Sequence, residues 1–259
     1  MKLEVIIPIS NPLESLLATA RSLADQTDRT FTVEIGGNCS KKGTEHIERA
    51  TAVLQSANIE TRTIYSSREL NRIELWNWLH FQSAADWLKP LLVGERLDSS
   101  YIKKLRAAAM AQPTAGSVLA GNGWFSRKRS AFDKNIFLGQ GFYSPSEARA
   151  LLLRYGPRFI SPSTMAYDRN AFISVGGYVA SFSYLSAALL AMTLAGTYGV
   201  AVIEEHLCDC GVDQVSGCRV EFATACYLLA YHAWTDSFPF SRSAFAWMWL
   251  RRLVCGGFR

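Results

Sequence analysis

Charged residues gather at the end of one short apolar run. Trp87-Leu88-Lys89-Pro90-Leu91-Leu92-Val93 leads straight into Gly94-Glu95-Arg96-Leu97-Asp98. The run reads as a buried strand and the stretch around Gly94 as a tight turn. A helix follows from Ser100 to Met110, with Leu105 and Ala107-Ala108-Ala109 on its inner face. A strand that ends in a charged turn before a helix is where open α/β sheets place ligands, outside the carboxyl ends of the strands. A second charged strand end is Glu204-Glu205-His206, after Val200–Ile203. His206, Cys208, Cys210 and Cys218 carry the imidazole and thiolates that suit zinc. Their H-x-C-x-C spacing lacks a C-x₂-C knuckle, so a cysteine-containing loop is the better reading. Cys39 has no histidine close behind it (His46 is the next) and reads as a packed small residue rather than a nucleophile. Arg127-Lys128-Arg129 could grip a diphosphate or an anionic acceptor, although solvated charge runs are the more usual outcome.

The elements that must position these groups alternate in type. A strand over residues 4–9 is closed by Pro8, Asn11 and Pro12, and a helix follows from Leu13 to Gln26 with Leu16, Leu17, Ala20 and Leu23 at helical spacing. A strand from Phe31 to Ile35 ends at Gly36-Gly37-Asn38. The helix from Thr44 to Ala57 carries Ile47, Ala50, Val53 and Leu54 on one face. A third strand, Glu60–Tyr65, and a helix from Leu70 to Ala84 complete the approach to Trp87. This β-α-β-α-β-α-β order predicts a parallel sheet with helices on both faces. After Gly121 the pattern turns polar, basic and aromatic, with a helix over Pro145–Tyr155. Beyond it come a strand-like Ser161–Tyr167, a short helix from Asp168 to Val175 and a buried helix ending near Gly196. The expected divisions are residues 1–121, 122–237 and a C-terminal tail, 238–259. In the tail Phe245, Trp247, Trp249, Leu250 and Leu253 alternate with Arg242, Arg251, Arg252 and Arg259. Such a tail could lie on an anionic membrane surface, or cap the core or an interface between copies.

The 259 residues suffice for a substantial core, and 49% apolar with 19% charged residues belongs to a folded protein. A net charge of +5 suits anionic ligands such as nucleotide sugars or acidic lipid surfaces and is too diffuse to argue for nucleic acid. Met1-Lys2-Leu3-Glu4 runs into the first strand with no visible signal-peptide pattern, and no apolar run reaches the roughly 20 residues of a membrane span. Six irregularly spaced cysteines suggest reduced thiols. The expectation is a cytoplasmic protein, with peripheral contact at the inner face of a membrane as the tail's contribution. A dinucleotide-dependent oxidoreductase is disfavoured, because no G-x-G-x-x-G follows the first strand.

Five segments, in order, resemble a family-two glycosyltransferase of the GT-A fold, of the kind found in polysaccharide and O-antigen assembly. Ile6-Ile7-Pro8-Ile9-Ser10-Asn11 resembles that family's first strand and its Pro-x-x-Asn turn. Gly37-Asn38-Cys39-Ser40-Lys41-Lys42-Gly43-Thr44 resembles the acidic nucleoside-binding segment after the second strand. Asn71–Leu79, with Trp76-Asn77, resembles the helix before the central strand. Trp87–Leu105 resembles the strand, metal turn and helix, and Pro162–Gly177 the acceptor-side segment ending in Gly-Gly. The resemblance covers about residues 3–205 and implies an α/β, mostly parallel Rossmann-type sheet with an acceptor-side subdomain.

It also implies an inverting transfer of a sugar from a nucleotide diphosphate to a glycan or lipid-linked acceptor. That chemistry uses a divalent cation (Mn²⁺ or Mg²⁺) on the diphosphate, a carboxylate for the nucleoside, and a general base. On this resemblance Pro8, Asn11, Gly37, Asn38 and Asn71 are the expected donor contacts, and Glu95, with Asp98 as a substitute, stands nearest the metal. Three carboxylate positions are nonetheless empty. The metal turn's Asp-x-Asp-Asp falls on Leu92-Val93-Gly94-Glu95, the nucleoside-binding Asp on Gly37, and the base on the apolar Ala187–Leu189. One account is a working transferase with a rearranged site. In it Glu95 is the sole metal-side carboxylate, or Lys89 and Arg96 offset the diphosphate charge directly, and Glu204 or Glu205 is the base. The other account is a catalytically inactive pseudo-glycosyltransferase that binds a partner transferase, a glycan or the membrane. Trp76, Trp78 and Trp87 read as core packing rather than a sugar-stacking platform.

Overall fold

The computed structural model describes residues 1–9, 13–38, 44–120, 139–155, 161–180 and 186–209. The chain opens with β1 (Leu3–Ile9), α1 (Leu16–Ala24), β2 (Thr32–Asn38), α2 (Thr44–Ser56), β3 (Thr61–Ser66), α3 (Arg72–Gln82) and β4 (Trp87–Pro90). The short β5 (Arg96–Leu97), α4 (Tyr101–Ala111), β6 (Ser117–Ala120), β7 (Gly141–Tyr143) and α5 (Pro145–Tyr155) come next. A 3-10 turn at Pro162–Thr164 leads to β8 (Met165–Asp168), α6 (Arg169–Ser174), α7 (Ser186–Tyr198), β9 (Val200–Ile203) and β10 (Cys208–Asp209).

Eight strands form one sheet in the order β3-β2-β1-β4-β8-β6-β9-β7. β3, β2, β1 and β4 are parallel, as the alternation predicts, and β6 is parallel to β9. The sheet is not parallel throughout, however. β8 is inserted antiparallel between β4 and β6, and β7 runs antiparallel on the far edge. The strand-like stretch of 161–167 therefore divides into a 3-10 turn and a four-residue strand. Pro162 supplies the preset φ at the start of that turn, and the Ser161 hydroxyl accepts from the Ser163 N–H.

Helices cover both faces, so the central strands are apolar on both sides. One face packs Val5, Ile7, Val33, Ile35 and Val118 against α1, α2 and α4. The other packs Ile6, Leu88, Leu119 and Val202 against α3, α6 and α7. β2 runs three residues further than its Val and Ile content predicts, through Gly36-Gly37-Asn38. Gly36 pairs with Pro8 and Ile64, and a Cβ there would lie 2.0 Å from Leu79 Cδ2. The glycine is thus inside the strand, where α3 needs to approach the sheet closely. Trp76 and Trp87 are buried core residues, and Trp78 packs partly buried on the α3 face.

Candidate functional site

The chain steps outward from β1 to β2 to β3 and then returns to the opposite side of β1 for β4. That reversal makes a topological switch point at the carboxyl ends of β1 and β4, where open α/β sheets bind ligands in a crevice. Three pieces border it: the ends of β1 and β2 at Ile9 and Asn38, the turn after β4, and the turn that enters β8 from the opposite direction.

Most side chains in these pieces are committed to holding backbone. Asn38 sends Nδ2 to the Leu70 carbonyl at 2.8 Å and accepts the Leu70 N–H on Oδ1 at 3.0 Å. It thereby ties the end of β2 to the segment before α3. Asn71 caps α3, its Oδ1 accepting from Ile73 and Glu74 N–H while Glu74 returns a bond to the Asn71 N–H. Pro8 and Gly37 are strand residues at the rim, with a Cβ on Gly37 set to meet Ile9 Cβ at 3.3 Å. Asn11, Cys39, Arg127-Lys128-Arg129, Cys210, Cys218 and the tail from 238 lie outside the described residues.

The turn after β4 is pinned from two sides. From α1, the buried Thr19 hydroxyl accepts the Gly94 N–H at 2.9 Å and donates to the Glu95 carbonyl at 3.0 Å. From the β8 entry, Ser163 Oγ accepts the Leu92 N–H at 2.9 Å. Gly94 has φ +92°, a conformation glycine adopts without steric cost. Glu95 is 6% exposed, and Ser161 Oγ lies 3.1 and 3.0 Å from its two carboxylate oxygens. Lys89 is fully buried. Its ammonium donates to the carbonyls of Pro90 and Ser163 and sits 4.7 Å from the centre of the Tyr101 ring. Carbonyl dipoles and a ring face replace water around this charge, so Lys89 is placed as an internal cation bracing the two turns. Neither motif nor spacing marks Thr19, Ser161 and Ser163 as site residues. The one local signal is Ser161 before a proline, a turn-capping arrangement.

The remaining charged candidates point elsewhere. Arg96, exposed, pairs with Asp209 at 2.5 Å across the β5–β10 ribbon. Asp98 accepts from Ser100 N at 2.9 Å and Ser100 Oγ at 2.6 Å, and these bonds hold its carboxyl below the usual carboxylate range. Glu204, Glu205 and His206 are exposed after β9, with Glu205 paired to Lys104 of α4. Cys208 is buried in β10 opposite Leu97. Ala187–Leu189, where the resemblance sets the base, are buried in the core.

A hard divalent cation wants several oxygens, with at least one or two carboxylates free to turn onto it. Glu95 faces a hydroxyl donor, Asp98 is folded onto its own turn, and Leu92, Val93 and Gly94 supply no carboxylate. Among the described residues no three His, Cys, Asp or Glu side chains converge as an ion site. These residues do not fit the cation.

No protein-family model matches the sequence, and no curated protein matches it. Solved structures do resemble the fold. TarS 1-349 from S. aureus superposes with a TM-score of 0.69 at 14% identity, over 96% of this chain and 69% of that one. The same protein in complex with UDP-GlcNAc gives 0.70 at 14%, over 98% and 73%. The mannosyltransferase PcManGT from Pyrobaculum calidifontis, in complex with GDP-Man and Mn²⁺, gives 0.66 at 15%, over 95% and 69%. Sheet order, flanking helices and these likenesses together show that the chain has the fold of the GT-A glycosyltransferases.

Proposed function

We propose that this chain binds a nucleotide-diphosphate sugar in the crevice at the ends of β1, β2 and β4 and transfers the sugar to a glycan or lipid-linked acceptor in surface polysaccharide assembly. The observation that carries the reading is the coincidence of that crevice with a fold shared, over almost the whole chain, with proteins solved bound to UDP-GlcNAc and GDP-Man. Pro8, Gly37 and Asn38 form the floor on the nucleoside side, with Asn71 beside them at the start of α3. Backbone set by Asn38 and by the turn of residues 91–95 gives a donor site that needs little rearrangement on binding, which favours affinity.

Deprotonating the acceptor hydroxyl requires a carboxylate with access to solvent and acceptor. Glu204 and Glu205 meet that condition at the end of β9, and Glu204 is the better base because Glu205 is held by Lys104. The burial of Ala187–Leu189 favours a second reading, a pseudo-glycosyltransferase that keeps the donor pocket without turnover.

Calorimetric titration with UDP and with GDP tests the donor site, and release of nucleotide from UDP-GlcNAc or GDP-Man tests catalysis. One nucleotide is expected to bind in the micromolar range, about −8 kcal/mol. Glu204→Gln is expected to lower kcat by about a hundredfold or more. Binding of neither nucleotide would sink the donor site. Binding without turnover, over a panel of glycan and lipid acceptors, would move the conclusion to the pseudoenzyme.

A further inference from the structure

The two turns that border the crevice come from opposite halves of the chain, and side chains stitch them together at three points. Glu95 meets Ser161, Ser163 Oγ receives the Leu92 N–H, and the Lys89 ammonium binds the Ser163 carbonyl. Thr164 Oγ1 closes the second turn on the Ser161 carbonyl at 2.8 Å, and Thr19 closes the first. The Glu95 carboxylate stands in the middle of this seam at 6% exposure. A metal-binding carboxylate presents lone pairs toward a cavity that water and phosphate can enter. Here the hydroxyl of Ser161 lies against both oxygens, and a charge-assisted bond of this kind is among the stronger contacts a buried carboxylate makes.

We propose that Glu95 is a positioning residue, a strut that fixes the donor-side turn to the acceptor-side turn, and that the crevice takes no divalent cation. Its nucleotide part rests on the donor-site reading above; the strut itself does not. The diphosphate charge is then met by solvent and by groups other than Mn²⁺ or Mg²⁺, since the N–H groups of Leu91, Leu92, Gly94 and Glu95 already bond within the protein. The strut holds the two turns in register through protein contacts alone.

The test uses the full chain and Mn²⁺ as the probe, read by the electron paramagnetic resonance signal of the free ion, alone and with UDP or GDP present. The expected result is no uptake beyond what nucleotide in buffer causes, and nucleotide affinity equal within about twofold in Mn²⁺ and in EDTA. Stoichiometric Mn²⁺ uptake that Glu95→Gln abolishes overturns the proposal and leaves the donor site standing. Absence of nucleotide binding with Mn²⁺ uptake also absent sinks the donor site and leaves the strut supported. The strut has its own readout in melting temperatures. Glu95→Ala and Ser161→Ala are each expected to lower Tm by about 2–4 °C, and the double variant by clearly less than the sum. Glu95→Gln, whose amide oxygen still accepts from Ser161, is expected to recover most of that loss. Additive losses, or a glutamine variant as unstable as the alanine, would overturn the strut.

Discussion

Glu34 and His80 are both sealed inside the molecule, on the same face of the sheet, in surroundings of opposite kind. Glu34 of β2 is flanked by Glu4 of β1 and capped by the half-exposed Arg62 of β3, whose guanidinium lies 2.5 Å from Glu34 and 3.3 Å from Glu4. His80 of α3 sits in a box of Tyr167, Phe172 and Tyr178, with ring centres 5.5–5.7 Å away. Its Nδ1–H donates to the Trp76 carbonyl at 2.6 Å, and its Nε2 has no hydrogen-bond partner. In the parallel half a buried acid is answered in part, by the Arg62 guanidinium, and burial still favours its protonated form. In the mixed half, aromatic surface leaves no answer, so the group stays neutral. Burial raises the Glu34 carboxyl to about 7 despite Arg62, and burial lowers His80 to about 4.

The largest effect is expected where packing alone holds the structure. Phe172 is fully buried, stacked on Tyr167 with centres 5.0 Å apart and edge-on to Tyr178. Phe172→Ala is expected to cost about 3–5 kcal/mol, measured by chemical denaturation. A loss below about 1 kcal/mol would mean that the aromatic box is not what holds β8 between its neighbours.

Next in size is the opposition of the two titrating groups. The Glu34 contribution is complete below pH 4.5 and is lost as pH rises through about 7, because the fold favours its protonated form. The His80 contribution is present above pH 6.5 and is lost as pH falls toward 4, because the fold favours its neutral form. Between pH 4.5 and 6.5 the slopes oppose, so these two groups together leave stability nearly flat there. Glu34→Gln removes one slope. Its stability relative to wild type should rise by about 2 kcal/mol from pH 4.5 to 7.5. The full rise in the carboxyl's value converts to roughly 3 kcal/mol, and solvent reaching half-exposed Arg62 reduces it. A difference that does not change with pH would remove Glu34 from the comparison.

The parallel half also holds a neutral polar residue, Asn38, whose amide mimics a strand partner for Leu70. Asn38→Ala leaves both Leu70 backbone groups without that partner and is expected to cost about 1–2 kcal/mol. Amide exchange should quicken first around Leu70, ahead of the β1–β2 ladder. Equal quickening in both would mean that the side chain supports the sheet rather than the segment before α3.

How much of this was legible varies by kind of signal. Element order follows from periodicity, and α5 and β9 have the bounds expected of them, Pro145–Tyr155 and Val200–Ile203. Gly36 and Gly37 look like a strand end and so predict a shorter β2, whereas the close approach of Leu79 is a fact about α3. The antiparallel β8 gives no warning, since a four-residue run carries no direction. At the candidate site the turn of residues 91–98 was found from its charges, but their roles were not. Lys89 reads as a cation that could offset a diphosphate, and only the fold brings the Ser163 carbonyl and the Tyr101 ring to it. Ser161 lies 66 residues from Glu95, and no local pattern joins them.

The smallest effect separates a buried ion pair from an exposed one. Arg96 and Asp209 meet at 2.5 Å with side chains 57% and 49% exposed, whereas Glu34, bound by Arg62, is 0% exposed. Exposed pairs gain little, because water already solvates both ions and ordering two long side chains costs entropy. Arg96→Ala is therefore expected to change stability by less than about 0.5–1 kcal/mol, with the change shrinking as salt rises. Arg62→Ala would leave Glu34 and Glu4 without their cation, and removing one partner of a buried pair costs far more than the pair contributes. Equal losses from the two variants would show that the β5–β10 ribbon depends on its ion pair as heavily as the parallel edge does. That outcome would place Arg96 among the residues holding the crevice together, instead of leaving it free to turn toward a phosphate.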